Sequence, residues 1–260
     1  MTQALHPVIF AGAGPGDPEL MTIKSMKAIE QADLVIYAGS LVPEAVLCWK
    51  GDHTKTVSSA GMDLDEIVEQ IRTCYHSGKR VVRLHTGDPS LYGAIFEQIR
   101  ELQKESIPYT VIPGVTAAFA AAASIGMEYT LPEVTQTLIL TRMAGRTPVP
   151  EAEALNALAA HQSSMAIYLS VGLVDKVMEI LKPHYGAESA CAIAYKVSHP
   201  EEQIFYTTIE KLADTCREEN ITRHALIIVG KAVEASQGNM ELIKSKLYDP
   251  GFSHGYRKGK

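Results

Sequence analysis

The sequence predicts an α/β protein with two α/β domains, the first built on a mostly parallel sheet and the second on a mixed sheet. Short apolar runs alternate with amphipathic helical stretches along the chain. In the second half, "VSHPEE" joins two apolar runs with no helix between them, which is typical of a hairpin. A polar stretch, "MEYTLPEVTQ", separates the halves. We therefore expect domains at 1–130 and 131–235, followed by a loosely ordered tail at 236–260.

The first half contains four apolar runs that we expect to form buried parallel strands. They cover residues 8–13, 34–38, 80–85 and 109–112. Helical stretches lie between these runs, and Thr22, Asp63 and Ser90 are their predicted N-caps. The stretch after Asp63 has apolar residues at the i, i+3, i+4 and i+7 spacing of one helix face, which supports a helix there.

The second half repeats this alternation of strands and helices. The predicted strands are 137–141, 165–169, 190–196, 203–208 and 225–230, and the predicted helices are 151–161, 173–182 and 209–219. A hairpin makes its two strands antiparallel, so we expect this sheet to be mixed.

Composition and charge exclude several classes of function. Of the 260 residues, 46% are hydrophobic and 21% are charged, as in a typical globular protein. A net charge of −6 gives no overall basic field, so we expect no nucleic-acid partner. The longest apolar stretch, 115–127, is too short to cross a bilayer, and the N-terminal residues lack a signal-peptide pattern, so we expect a cytoplasmic protein without a membrane partner. The cysteines and histidines show no metal-ligand spacing, and no metal is predicted.

A glycine-rich loop, "GAGPGD" at residues 12–17, follows the first strand. Dinucleotide-binding loops have the spacing G-x-G-x-x-G, but Asp17 stands where the third glycine belongs and would repel pyrophosphate. Pro15 removes an amide donor, and the second strand ends in "VIYAGS" without an acid that could bind a ribose. These features disfavour a phosphate site and a nicotinamide-dependent dehydrogenase. The loop is either a tight strand-to-helix turn or a place where the backbone approaches a ligand closely.

The other strand ends favour the second interpretation. Parallel sheets bind ligands beyond the carboxyl ends of their strands. At those ends the chain has "GAGPGD", "YAGSLVP", "HTGDPSLYG" and "IPGVTAA", which are rich in glycine, proline and small polar residues. Such loops suit a ligand that is contacted by backbone amides and small side chains. An adenosine with a sulfonium tail is such a ligand, because it has no phosphates to neutralise.

Taken together, these loops resemble those of the tetrapyrrole methylase family, S-adenosylmethionine-dependent enzymes with two α/β domains. The matching stretches are "GAGPGDPELMTIK", "RLHTGDPSLYG", "IPGVTAAFAAAA", "IYLSVG" and "ALIIVG". They occur in the family's order and extend over about residues 8 to 234. The resemblance implies a methyltransferase that uses S-adenosylmethionine, releases S-adenosylhomocysteine and forms a homodimer.

Two further stretches, "YAGSLVP" and "TQTLILTRMAGRTPVPE", resemble the branch of the family that methylates C11 of precorrin-4 or cobalt-precorrin-4 in cobalamin biosynthesis. The sirohaem branch usually has a doubled glycine before the aspartate of its central loop, and Thr86 stands there instead. The sequence leaves open a methylase acting on a different ring carbon and a non-catalytic tetrapyrrole-binding homologue. It also does not predict whether the substrate contains cobalt.

The resemblance places the cofactor in a cleft between the two domains. The positions that match the family's cofactor contacts are Pro15, Thr86, Gly87, Asp88, Leu91, Thr116, Ala117, Leu169 and Ala225. Leu169 stands where relatives often have methionine, a change that keeps an apolar contact.

The substrate class predicts basic residues. A corrin precursor carries several acetate and propionate groups, so its site needs groups that bind carboxylates, and arginine does this with bidentate geometry. We expect Arg142 and Arg146 to serve as these anchors. Tyr92 either lines the same site or packs in the core. Asp88 is the candidate for the base that removes a proton, although its carboxylate could equally cap a helix or contact the cofactor.

Overall fold

The computed structural model describes residues 5–238, 240 and 245–259. Contacts divide the chain into two compact units. Unit 1 comprises the chain up to Ala120 together with Val197–Glu201, and unit 2 comprises Ala121–Lys196 together with the chain from Glu202 onward. The sequence placed the border later, at residue 130, and gave no indication that a short segment of the second half would group with the first.

The described residues of unit 1 form a five-stranded sheet. Its strands are β1 (Val8–Gly12), β2 (Leu34–Tyr37), β3 (Lys55–Ser58), β4 (Val81–His85) and β5 (Tyr109–Ile112), in the spatial order β3-β2-β4-β1-β5. All neighbouring strands are parallel, which confirms the predicted sheet. The edge strand β3 was not predicted, because its sequence KTVS contains a single large apolar residue, Val57.

Helices lie between these strands and after the last of them. They are α1 (Ile23–Glu30), α2 (Leu64–His76), α3 (Ile95–Lys104) and α4 (Ala117–Ile125), with 3₁₀ helices at Pro18–Leu20 and Glu44–Trp49. The predicted caps of α1 and α2 are confirmed: the Thr22 hydroxyl accepts the amide of Ser25, and Asp63 forms a capping box with Glu66. The predicted cap of α3 is wrong. That helix begins at Ile95 after Ala94, and Ser90 bonds to Asp88 instead.

Unit 2 is built on a mixed sheet. Its strands are β6 (Leu138–Arg142), β7 (Ser164–Tyr168), β8 (Ala190–Tyr195), β9 (Gln203–Thr208) and β10 (Ala225–Val229), in the order β6-β7-β10-β8-β9. β6 and β7 are parallel, and the other neighbours are antiparallel, including the predicted β8–β9 pair. The predicted mixed sheet is therefore confirmed.

The helices of unit 2 cover a core formed by buried side chains such as Met165, Ile167 and Ile193. They are α5 (Leu155–Ala159), α6 (Val174–Tyr185), α7 (Leu212–Glu218) and α8 (Lys231–Ser236), with 3₁₀ helices at Glu151–Glu153 and Val171–Leu173. Within the predicted tail, residues 245–259 contain a 3₁₀ helix, and Arg257 donates hydrogen bonds to the Leu247 and Asp249 carbonyls. No helix in the described ranges is long and apolar enough to cross a membrane.

Candidate active site

Three glycines close the carboxyl edge of the unit 1 sheet, where β1, β4 and β5 end. A Cβ atom on Gly12 would lie 2.6 Å from the Gly114 Cα and 2.6 Å from the Gly87 carbonyl oxygen. The Gly87 amide also donates to the Gly14 carbonyl at 2.8 Å, and the Gly14 amide donates back at 3.3 Å. A side chain at Gly12 or Gly114 would collide with a neighbouring loop, so glycine is needed for these loops to approach one another so closely.

Asp88 fastens two of these loops together. Its Oδ2 accepts the Gly114 amide at 2.9 Å, and its Oδ1 accepts the Ser90 amide at 2.8 Å and the Ser90 hydroxyl. Burial by itself raises the pKa of Asp88, but these three hydrogen bonds outweigh it and leave the pKa below its ordinary value. Asp88 is therefore ionised near neutral pH, with both oxygens engaged. Its role as the catalytic base stays a prediction, and these bonds weigh against it.

The remaining unit 1 positions predicted to bind the cofactor lie in the same three loops. Pro15 follows β1, Thr86 and Leu91 follow β4, and Thr116 and Ala117 stand at the start of α4 after β5. A Cβ atom on Gly87 would be 3.6 Å from the Thr116 Cα, so two of these loops are in direct contact. The fold thus brings these predicted residues to one edge of one sheet, where parallel strands bind ligands.

Tyr92 lies exposed in a strained part of the loop after β4. Its backbone is in the left-handed region at φ 56°, and its side chain is 43% exposed, so it does not pack in the core. Ala94 is also left-handed, at φ 49°. Non-glycine residues with positive φ are uncommon and concentrate at functional sites. Ten non-glycine residues of the described part of the chain have positive φ, so it is the exposure of the Tyr92 side chain that agrees with its predicted placement at a binding surface.

Two buried polar side chains lie in the same sheet as this edge. His85 stacks on Phe10 with ring centroids 6.0 Å apart. Burial and the neighbouring charge of Arg83 lower the pKa of His85 to about 3, so the ring is neutral. Burial also lowers the pKa of Arg83 to about 10, and its guanidinium donates to Gln98 and to the Ile36 carbonyl. Both side chains belong to the interior of the sheet.

Unit 2 holds an exposed leucine at the end of β7. Leu169 has φ 52° and is 64% exposed, an unusual state for a large apolar residue. The next residue, Ser170, is fully buried, accepts the Met143 amide at 2.8 Å and donates to the Tyr168 carbonyl at 2.7 Å. These bonds tie the loops after β6 and β7 together. Ala225, the other predicted contact in this unit, begins β10 opposite Tyr195.

The two arginines predicted to bind substrate have different surroundings. The Arg142 guanidinium donates to the carbonyls of Met143, Thr147 and Pro148, the last at 2.8 Å. It therefore braces the loop that follows β6. Arg146 lies on that loop with an exposed side chain and has no hydrogen-bond or ion-pair partner within the described part of the chain. Arg146 is thus the better placed of the two to bind a carboxylate.

A family comparison decides the class of protein. Residues 7–213 match the family model of the tetrapyrrole (corrin/porphyrin) methylases. The chain belongs to this family. This tetrapyrrole methylase is 50% identical over 252 residues to the cobalt-precorrin-4 C(11)-methyltransferase of Methanocaldococcus jannaschii, covering 96% of each chain. It is 46% identical over 253 residues to the precorrin-4 C(11)-methyltransferase of Pseudomonas aeruginosa, covering 97% of this chain and 99% of that one.

A solved structure supports the same assignment. The methylase matches the X-ray structure of a cobalt precorrin-4 methyltransferase, described as a cobalamin biosynthetic enzyme, with a TM-score of 0.85 and 42% identity. The match covers 87% of this chain and 95% of that chain. The predicted family, the two-sheet α/β fold and the methyltransferase class are confirmed.

Sequence reasoning missed two residues of this methylase that contact the glycine-rich loop, Ser198 and His199. The Asp17 amide donates to the Ser198 hydroxyl at 2.9 Å, and the His199 ring lies against Gly16. These partners are 181 residues or more apart in sequence, and no local pattern connects them. The one local indication was Gly16. A glycine that is not needed for phosphate binding can mark a place where another part of the chain packs closely against the backbone.

Two cavities of the methylase lie elsewhere. One, of about 810 Å³, is lined in unit 2 by residues that include Ser189, Thr208 and Lys211. The other, of about 220 Å³, lies in unit 1 beside His6 and Arg80. Neither lining includes a predicted site residue. Among residues 5–238, 240 and 245–259, no group of three or more His, Cys, Asp or Glu side chains could hold a metal ion.

Proposed function

We propose that this tetrapyrrole methylase transfers the methyl group of S-adenosylmethionine to C11 of precorrin-4 or cobalt-precorrin-4, a step of cobalamin biosynthesis. The observation that carries the proposal is the identity of 50% and 46% to C(11)-methyltransferases over nearly the full length of every chain involved. One relative is named for the cobalt-containing substrate and the other for the metal-free one. We therefore expect the tetrapyrrole periphery, rather than the metal, to determine recognition.

The carboxyl edge of the unit 1 sheet fits the methyl donor. S-Adenosylmethionine has no phosphate groups, and the loops at this edge consist mainly of glycine, proline and small polar residues, which suit a ligand that needs no cations to neutralise it. Pro15, Thr86, Gly87 and Thr116 would hold it there. The predicted contacts in unit 2, Leu169 and Ala225, stay predictions.

The chemistry requires orientation more than an activated side chain. An electron-rich ring carbon of the substrate can bond to the donor's methyl group without a protein nucleophile, while the bond from that methyl group to the positively charged sulfur breaks. S-Adenosylhomocysteine is released, and the methylated ring loses a proton. The residues of the chain would hold the two reactants in the orientation that methyl transfer needs and would exclude water. Arg146 would bind a peripheral carboxylate of the substrate, Arg142 would keep its loop in place, and Tyr92 would present its ring to the substrate.

A transfer assay tests the proposed function. The protein is incubated with methyl-labelled S-adenosylmethionine and, in separate reactions, with precorrin-4 and cobalt-precorrin-4. We expect label in the tetrapyrrole and a new methyl group on C11 by NMR. Pigment binding without transfer would instead indicate a non-catalytic carrier, and a methyl group on another carbon would indicate a different branch of the family.

We further propose, from the resemblance to the family, that the protein works in the cytoplasm as a homodimer. Phe96 and Phe119 expose large apolar surfaces on unit 1, 78% and 54% of each residue, and an interface would remove such surface from water. Sedimentation equilibrium should give about twice the chain mass of 28.3 kDa. A single-chain mass at micromolar concentration would contradict the dimer.

A further inference from the structure

Gly16 is the third glycine of the loop after β1, and the space for a side chain at this position is filled. A Cβ atom built on Gly16 would lie 2.7 Å from Nε2 and 2.9 Å from Cγ of His199. The backbone of Gly16 is not in the left-handed region, unlike that of Gly14 at φ 74°. An alanine would therefore suit the backbone of residue 16. A side chain at residue 16 would instead have to displace the His199 ring, which occupies the space.

The neighbouring residues make a second contact at the same place. The Asp17 amide donates to the Ser198 hydroxyl at 2.9 Å. Asp17 in turn accepts the Glu19 amide at 2.8 Å and caps the 3₁₀ helix that follows. Two consecutive loop residues are thus held by two consecutive residues of the Val197–Glu201 segment, which groups with unit 1 by its contacts. Ser198 keeps a left-handed backbone, at φ 61°, to make this contact.

We propose that Ser198 and His199 form a clasp that fixes the 12–17 loop in its ligand-binding conformation, so that they are positioning residues for S-adenosylmethionine. The proposal rests on the proposed function, because the loop matters only if it contacts the methyl donor. A loop with three glycines loses much conformational entropy when a ligand orders it. A clasp that orders the loop beforehand removes this cost from binding, which is the physical basis of preorganisation.

A double-mutant cycle tests the clasp. The affinity for S-adenosylhomocysteine is measured by calorimetry in Gly16→Ala, His199→Ala and the double variant. We expect each single variant to bind about tenfold more weakly, because Gly16→Ala displaces the His199 ring from the loop and His199→Ala removes the ring. The double variant should bind no more weakly than either single variant, because the new methyl group then has room. Gly61→Ala is the matched control, since a Cβ at Gly61 would meet nothing within 4 Å.

Kinetics distinguish positioning from a general loss of structure. In His199→Ala the KM for S-adenosylmethionine should rise while kcat changes by less than about twofold. A merely structural role would lower the melting temperature and the active fraction without changing KM. Additive losses in the cycle, or an unchanged affinity in His199→Ala, would overturn the clasp.

Hydrogen exchange without ligand separates this proposal from the proposed function. The peptide that contains Gly16 and Asp17 should exchange faster in His199→Ala and in Ser198→Gly than in the wild type. Glycine suits the left-handed backbone at residue 198 but removes the acceptor for the Asp17 amide. If the wild type binds no S-adenosylhomocysteine, the proposed function fails and with it the role of the clasp in binding the methyl donor; faster exchange would then show only that Ser198 and His199 hold the loop. Unchanged exchange in both variants would overturn the clasp even in a protein that binds ligand.

Discussion

At the scale of single residues, the parallel sheet of unit 1 contains an imidazole whose protonation opposes folding. The pKa of His85 is lowered from 6.5 to about 3, first by burial and then by the charge of Arg83. Below pH 6.5 His85 becomes protonated in the unfolded chain, whereas in the folded chain it stays neutral down to about pH 3. Stability from this residue is therefore present above pH 6.5 and is lost as the pH falls through that window, by up to about 1.4 kcal/mol per pH unit.

His85→Gln removes this titration. We expect its free energy of unfolding, measured with urea at pH 7, 6 and 5, to fall less steeply with acid than that of the wild type. His76→Gln is the matched control, because it replaces a second histidine, one that is exposed at the end of α2. Equal slopes in His85→Gln and the wild type would show that His85 takes up its proton over the same pH range in the folded and unfolded chains, which would contradict the lowered pKa.

Also at this scale, Gly114 has no room for any side chain. A Cβ there would clash with the Gly87 carbonyl oxygen and lie 2.9 Å from the Gly12 Cα, and neither backbone atom can move without shifting a strand end. Gly114→Ala should lower the free energy of unfolding by about 3 kcal/mol or more. Urea unfolding measures this loss, and Gly61→Ala, in open space, should stay within about 0.5 kcal/mol of the wild type.

At the scale of elements, the start of α2 depends on one side chain. Asp63 accepts the Glu66 amide at 2.9 Å, and the Glu66 side chain accepts the Asp63 amide at 2.9 Å. Asp63→Ala leaves the Glu66 amide without its acceptor, while the backbone amide of residue 63 can still donate to the Glu66 side chain, and should cost about 1 kcal/mol in urea unfolding. Asp65→Ala removes an acid from the same first turn without touching the capping box, so a loss of equal size there would attribute the effect to charge alone.

Elements with local signals were predictable from sequence, and elements set by distant contacts were not. The predicted strand 109–112 and the strand β5 coincide, because four aromatic, apolar or β-branched residues stand between Pro108 and Pro113. The start of α3 was missed because the Ser90 hydroxyl bonds to Asp88, so that the chain continues in an irregular loop to Ala94. The candidate site is limited in the same way. The glycine-rich loops could be recognised from local sequence, whereas the contact between His199 and Gly16 could not, because the two residues come together only when the chain folds.

At the scale of the whole molecule, overall charge and local charge act in opposite directions on the substrate. The chain carries a net charge of −6, which repels a tetrapyrrole with several carboxylates. Arg146 provides an exposed guanidinium at the predicted substrate site. The methyl donor, by contrast, is expected against loops that consist mainly of backbone groups. Salt should therefore weaken the binding of the tetrapyrrole more than the binding of the methyl donor. The reason is that salt screens charge–charge attraction, since the Debye length falls from about 10 Å at 0.1 M to about 3 Å at 1 M.

We expect kcat/KM for the tetrapyrrole to fall severalfold between about 0.05 and 0.5 M salt, while the KM for S-adenosylmethionine changes by less than about twofold. Arg146→Ala should raise the KM for the tetrapyrrole about tenfold and flatten its salt dependence, because the attraction that salt screens has been removed. Arg146→Lys keeps the charge and loses the bidentate geometry, so it should retain the salt slope with an intermediate KM. Steady-state kinetics over this range of salt concentration measures these values for the wild type, Arg146→Ala and Arg146→Lys. A kcat/KM that rises with salt would mean that repulsion by the net charge dominates and that Arg146 does not anchor the substrate.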